Sequence, residues 1–433
     1  MIGTNRNNII NNSGHNNEYN PFSLPLQTLI NWFVFFLAFP SIYLLGNSIT
    51  FFLFLLIIYR VGNCWPANFS GKSLIYIFLG LVLMATIFAP YSSMERHPGF
   101  GSSFLILIQY IYWAFAASFF IAFRNRLDYL SISKWFFYGT LSAIIGFYLL
   151  PFQLNLSVVN IIFIATRNSF VFGLLVTIPI SYYYLIQLKK RKILILSFPF
   201  FLFAMLFTNG RSGAVIIIFE LMFIASIIYP YFQRMIRIML ILLFPLFYWA
   251  QTDNAKPYLY FIADKVEGIN PRFSQLIRGE GEGDLTFDKS WLIRKLMIDK
   301  SIEIFNSHPL LGVGPNNFIY YDSSLSSRNE YARLASNSDH FYNTRSAHNS
   351  YIQILSEIGI IGFVVLILLL FIPIITFLKD FYYNNIGVSH LPLVSLFGMA
   401  LHFYAISSIT GAVSWVVIGF AWSATSHLKM ARK

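Results

Sequence analysis

Apolar runs of bilayer-spanning length recur along the chain from Leu26 onward, and polar positions fall between these runs rather than inside them. A hydrocarbon core about 30 Å thick takes about 20 apolar residues per helix, so the pattern predicts membrane helices, not the one-sided stripes of a soluble bundle. Twelve spans are expected: Leu26 to Leu45, Ser48 to Tyr59, Ser73 to Pro90, Phe104 to Phe123, Trp135 to Phe152, Phe170 to Leu188, Ile193 to Thr208, Ala214 to Phe232, Ile236 to Ala250, Tyr351 to Leu378, Leu391 to Ser408 and Ala412 to His427. Residues 1–25 are polar, Asn-rich and without periodicity, which reads as a disordered cytoplasmic tail rather than a signal peptide. Spans one to nine fill 26–250. A hydrophilic loop occupies 251–350, and spans ten to twelve follow in 351–433. Within the loop, Ser290 to Phe305 carries apolar residues at helical spacing. The expected class is an all-α polytopic transmembrane bundle with one large loop.

Composition agrees. The 433 residues are 57% hydrophobic and 11% charged, against roughly 45–50% apolar and 25% charged in soluble domains. A single cysteine, Cys64, excludes an internal disulfide framework, and neither HExxH nor EF-hand spacing occurs. No cofactor or metal is therefore expected.

The net charge of +12 suggests nucleic acid until its distribution is read. Loop 251–350 holds 11 basic and 12 acidic residues, leaving 19 basic and 6 acidic residues elsewhere, mostly in short loops between apolar runs. Such clusters set membrane orientation. With the amino terminus inside, Arg60, Lys72, Arg124, Arg126, Lys134, Lys189 to Lys192, Arg234, Arg237, Lys379 and the basic tail all fall in the cytoplasm, and the large loop falls outside. The expected surroundings are membrane lipids, with no nucleic acid.

Three arginines break this charge pattern: Arg96 in a short outer loop, Arg167 before the sixth span, and Arg211 at the outer end of the seventh. Snorkelling to the interface accounts for an isolated arginine. Gly210 and Gly213, however, permit close backbone approach around Arg211, and the outer loop adds Arg272, Arg278 and Arg294. A planar guanidinium fork matches phosphate oxygens and stays charged, so a group of them at the outer surface suits a lipid-linked pyrophosphate. Where the loop returns to the membrane, Asn349 or Ser350 can cap the next helix. His348 then stands at its amino end, where free N–H groups favour an anion. Gly359 and Gly362, one turn apart, suit tight helix packing. The bland alternative for His348 is a polar boundary residue.

Other motifs fail. Gly71-Lys72-Ser73 ends like a P-loop, but Pro66 stands where the first glycine belongs; no Asp-x-Asp pair occurs; and Glu280, Glu282 and Asp284 lie in a Gly-rich turn. Glu220, inside the eighth span, is costly in lipid and suits either a buried cation partner or proton coupling.

The run His308-Pro309-Leu310-Leu311-Gly312-Val313-Gly314-Pro315-Asn316-Asn317-Phe318, with Ala347-His348-Asn349-Ser350-Tyr351 and the spacing His-Asn-x9-Gly-x-x-Gly, resembles the bacterial O-antigen ligase and polymerase family. The resemblance runs from about Phe170 to Lys379. It implies a GT-C-like inner-membrane glycosyltransferase with its active site facing the periplasm, taking an oligosaccharide or polysaccharide from undecaprenyl pyrophosphate. By position, Arg211 and His348 resemble the family's catalytic arginine and histidine, and Arg272 or Arg294 resembles its loop arginine. Arg278, Arg167 and Asn349 are further candidates for binding substrate. As a base His348 must be neutral, whereas as an anion clamp it works best protonated. Direct displacement predicts inversion at the anomeric carbon. Transfer to a lipid A-core acceptor makes a ligase, and transfer to a second lipid-linked repeat unit makes a polymerase. A polysaccharide flippase or transporter is the reading from a different class, which Glu220 favours and the long outer loop disfavours.

Overall fold

The computed structural model describes the chain from Phe22 to Ala431 except residues 40–41, 45–46, 63–64, 66–68, 92–98, 150–152, 156–158, 163–166, 209, 230, 251–252, 269–273, 275–288 and 322–346. Arg96, Arg272, Arg278, the Glu280 turn and the tail 1–21 lie outside the described residues.

Each of the twelve apolar segments contains a helix. In order they are α1 (Leu24–Ala38), α2 (Ile49–Val61), α3 (Lys72–Ile87), α4 (Gly99–Ala122), α5 (Tyr129–Leu149), α6 (Arg167–Gln187), α7 (Arg191–Leu206), α8 (Arg211–Ile228) and α9 (Phe232–Ala250). After the loop helices α10 (Lys256–Glu267) and α11 (Lys289–Ser307) come α12 (Ser350–Tyr382), α13 (Leu391–His402) and α14 (Ala412–Ala431). Helix α11 covers the periodic stretch expected from Ser290 to Phe305. Among the described residues, three helices are long and apolar enough to cross a membrane: Phe100–Ala122, Asn168–Gln187 and Ser350–Tyr382.

Several expectations are corrected. Phe22, assigned to the tail, already belongs to the bundle: it is buried, its ring lies against Phe119 and Phe123, and the Arg126 guanidinium sits 4.6 Å from its centroid. The first and fifth spans end earlier than expected: α1 stops at Ala38, where Phe39, the residue before Pro40, is turned out of helical conformation, and α5 stops at Leu149. Past those ends the chain forms four short strands, β1 (Ile42–Leu44), β2 (Asn47–Ser48), β3 (Gln153–Asn155) and β4 (Val159–Ile162). They make one small antiparallel sheet in the order β2-β1-β4-β3, with Tyr43 opposite Asn160. The helical class holds, with this sheet as its one departure among the described residues. The eleventh span is also shorter: α13 stops at His402, and a turn follows.

Helix α13 sits at the centre, packed on α6, α8, α12 and α14, while α3 and α4 close the far side against α12 and α14. Trp415 of α14 is fully buried between Phe78 of α3 and Tyr110 of α4, and Phe223 of α8 meets Phe377 and Phe397 edge-on. The outer faces are equally apolar. On α7, Phe201 and Met205 point inward while Ile195, Leu196 and Phe203 are exposed. Water would penalise such a surface, and lipid does not.

The α12–α13 connection is held by a buried pair. His390 Nδ1 accepts from the Gly387 N–H at 3.0 Å, so Nε2 carries the proton it gives to Asp380, also at 3.0 Å. The candidate site is built at the opposite ends of these two helices.

Candidate active site

The segment after α11 turns back and docks on α12 through backbone groups. The N–H of Val313 donates to the Ser356 carbonyl at 3.0 Å, the N–H of Gly314 to the Glu357 carbonyl at 2.9 Å, and the N–H of Ile360 to the Pro309 carbonyl at 2.9 Å. The Ser356 and Glu357 carbonyls are free because the helix ladder breaks at Gly359, with φ 77° and ψ −175°. The contact leaves no room for side chains: a β-carbon on Gly312 would lie 2.4 Å from the Ser356 oxygen, and one on Gly359 2.2 Å from the Leu310 oxygen. Both glycines also sit at positive φ, which L residues adopt with strain. Gly359 had been expected to serve helix–helix packing. It instead lets a loop reach the helix backbone, and Gly362 abuts Ile358 of its own helix.

Side chains complete the dock. The buried Glu357 carboxylate takes backbone hydrogen bonds at Asn316 and Phe318 and one from the Gln353 amide at 3.2 Å. Asn317 donates to the Val313 carbonyl at 2.7 Å and accepts from Ser103 of α4 at 3.1 Å, and Asn316 donates to Ser102 at 2.9 Å. A small second core, Met297 and Ile304 of α11 with Val313, Phe318 and Ala347, joins this turn to the residue preceding His348.

His348 is partly buried and left-handed at φ 51°. The next residue caps α12: Asn349 Oδ1 accepts from the Tyr351 N–H at 2.9 Å and the Ile352 N–H at 3.2 Å. This start is then tied to the end of α13. The Ser350 N–H donates to the Phe403 carbonyl at 2.8 Å, Ser350 Oγ donates to the Ile406 carbonyl at 2.7 Å, and the Tyr351 hydroxyl donates to the Ala400 carbonyl at 2.7 Å.

The same end of α13 receives α8 and α6. Arg211 is the first residue of α8, whose start takes no side-chain cap from Gly210. Next to it, Ser212 Oγ lies 3.4 Å from His402 Nδ1. Gly213 presses on α6, where a β-carbon would fall 2.4 Å from Val171 Cγ1. Phe172 of α6 stacks on His402 at 6.0 Å and on Phe403 at 6.1 Å. Arg167, the first residue of α6, is about one turn ahead of Val171. The amino ends of α6, α8 and α12 therefore meet at the carboxyl end of α13. Arg294, on α11, is partly buried and within electrostatic reach of His402.

These contacts bring together the backbone positions of Arg167 and Arg211, the His348–Asn349 pair and Arg294, while Glu220 stands apart. Its buried carboxylate, two to three turns along α8, faces Gly398 of α13 so closely that a β-carbon there would lie 1.6 Å from Oε1.

Residues 196–367 match the family model described as O-antigen ligase. This segment, less than half of the 433 residues, is similar to the O-antigen ligases. A comparison with curated proteins gives no match. The matched segment runs from α7 to α12 and contains Arg211, the docked turn, the His348–Asn349 pair and Gly359. Together with the apolar helices, this similarity points to an integral membrane protein of O-antigen ligase or polymerase type, and the members of the matched family are glycosyltransferase-like enzymes. His402 lies beyond the matched segment and was missed by sequence reasoning. Its signal was a histidine at the end of an apolar span, a residue type that membranes tolerate where it has a partner or a task.

Proposed function

We propose that this protein is an O-antigen ligase-like glycosyltransferase. It moves a glycan from undecaprenyl pyrophosphate onto a lipid A-core acceptor at the periplasmic face of the inner membrane. The observation that carries the reading is the meeting of the amino ends of α6, α8 and α12, with Arg167, Arg211 and His348 as first or flanking residues. Helix N-termini and arginines favour the same thing, an anion held without a metal.

The chemistry follows from that field. An acceptor hydroxyl attacks the anomeric carbon of the donor's reducing-end sugar, the bond to the pyrophosphate oxygen breaks, and the acceptor's proton leaves, with inversion at the carbon. Negative charge grows on the departing pyrophosphate. Arg211 and Arg294 stabilise that charge, Arg272, Arg278 and Arg167 extend the basic surface, and Asn349 holds the turn that places His348. His348 either takes the hydroxyl proton or donates to the leaving group. The acceptor enters from the cleft between the outer loop and the bundle.

The test is a deletion in the native strain, with surface polysaccharide and undecaprenyl-linked glycan analysed together for chain length. Long chains on undecaprenyl beside a bare lipid A-core support the ligase. A core carrying single repeat units makes the protein a polymerase instead, and unchanged pools overturn the transferase reading.

A further inference from the structure

His402 is the residue against which the converging elements are arranged, and the chemistry proposed above does not use it. Its ring is 3% exposed. Phe172 covers one face, and Ser212 Oγ meets Nδ1 at 3.4 Å. The following residue, Phe403, accepts the N–H of Ser350 two positions after His348. His402 thus stands between the start of α8, where Arg211 sits, and the start of α12, where His348 sits.

Among the described residues, Nε2 of His402 is buried and lacks a hydrogen-bond partner. Buried polar atoms in folded proteins are almost always satisfied, so this orphan calls for a hydrogen-bonding partner. The surrounding field says which kind. Two helix amino ends and the Arg294 guanidinium act at this point, and they favour an anionic oxygen. In the tautomer in which Nδ1 accepts from the Ser212 hydroxyl, Nε2 carries a proton to donate.

We infer that His402 is a binding residue whose Nε2–H donates to a pyrophosphate oxygen of the lipid-linked donor. The inference rests on the proposed function and deepens it: the anion site has a floor supplied by α13, outside the matched domain. Ser212 and Phe172 serve to hold the imidazole in orientation.

The experiment uses the purified full-length chain in detergent, titrated with undecaprenyl pyrophosphate, undecaprenyl monophosphate and inorganic pyrophosphate. Ligand-induced thermal stabilisation reports binding, and ligand-free melting reports fold. The wild type should prefer the lipid pyrophosphate to the monophosphate, and inorganic pyrophosphate should compete. His402→Ala should weaken the lipid pyrophosphate and inorganic pyrophosphate alike, by about tenfold for one lost charge-assisted bond. His402→Gln, whose amide can still donate, should melt like the wild type without ligand and recover part of the binding. If both variants bind undecaprenyl pyrophosphate within twofold of the wild type, the inference fails and the proposed function stands. If the wild type itself does not bind undecaprenyl pyrophosphate, both fail.

Discussion

Gly359 of α12 and Leu310 of the preceding turn touch backbone to backbone: a β-carbon on Gly359 would lie 2.2 Å from the Leu310 carbonyl oxygen. That contact is why the Pro-Leu-Leu-Gly-Val-Gly run and the His-Asn-x9-Gly spacing belong together. The first supplies the loop that docks, and the second supplies the break that receives it, nine residues after the Asn349–Ser350 start of α12.

Gly359→Ala should therefore be severe. The left-handed backbone alone costs about 1–2 kcal/mol for an L residue, and the clash with a carbonyl adds to it. Gly80, in the middle of α3 with nothing within 4 Å of its prospective β-carbon, is the control; Gly80→Ala should stabilise by about 0.5–1 kcal/mol. Melting temperatures of the two purified variants check this, and equal melting would sink the docking account.

Asn349→Ala should lower stability by about 1 kcal/mol through loss of the cap on α12, and Asn349→Ser or Asn349→Asp should restore most of it. Because the cap also fixes the turn at His348, transfer activity should fall and recover in the same order.

Arg211→Ala and His348→Ala should each reduce transfer by about 10²–10³-fold while leaving the protein folded in the membrane. Arg211→Lys should restore little, since an ammonium lacks the two-pronged geometry. Steady-state transfer alongside membrane levels of each variant decides the matter. Full activity in both alanine variants would remove these residues from the site.

Glu220 and Gly398 make a steric prediction. Gly398→Ala should destabilise by about 1–3 kcal/mol, because its new methyl would overlap Glu220 Oε1. Adding Glu220→Ala should recover stability, a coupling that a double-mutant cycle measures. Additive losses would show that the two side chains do not share this space.

His308, at the end of α11, is partly buried, and burial holds its pKa below the ordinary 6.5. The native state therefore resists protonation more than the unfolded chain does. The stability tied to this neutral ring is present above pH 6.5 and is lost as pH falls below it toward the lowered native value. His308→Gln should flatten the acid side of a plot of melting temperature against pH, and an unchanged slope would exclude the contribution.

Much of this was legible in the sequence. Each apolar run contains a helix, Asn349 caps α12, and the glycines beside Arg211 do permit close approach. What escaped depends on contacts between distant residues. Nothing local in Ile42–Leu44 separates a strand paired with Val159–Ile162 from the end of a span, except Pro40 just before it. The left-handed Gly359 is a response to Leu310, 49 positions away. His402 matters because Ser212, Phe172 and Ser350 reach the same end of α13, and no spacing within one segment encodes that meeting.

The most direct test of the central claim is acceptor-dependent release of undecaprenyl pyrophosphate by the purified, reconstituted protein. The substrates are undecaprenyl-pyrophosphate-linked glycan and lipid A-core. The account predicts release that requires the acceptor, persists in chelator, gives the inverted anomer, and disappears in His348→Ala. A wild-type protein that transports the lipid-linked glycan without cleaving it would contradict the account.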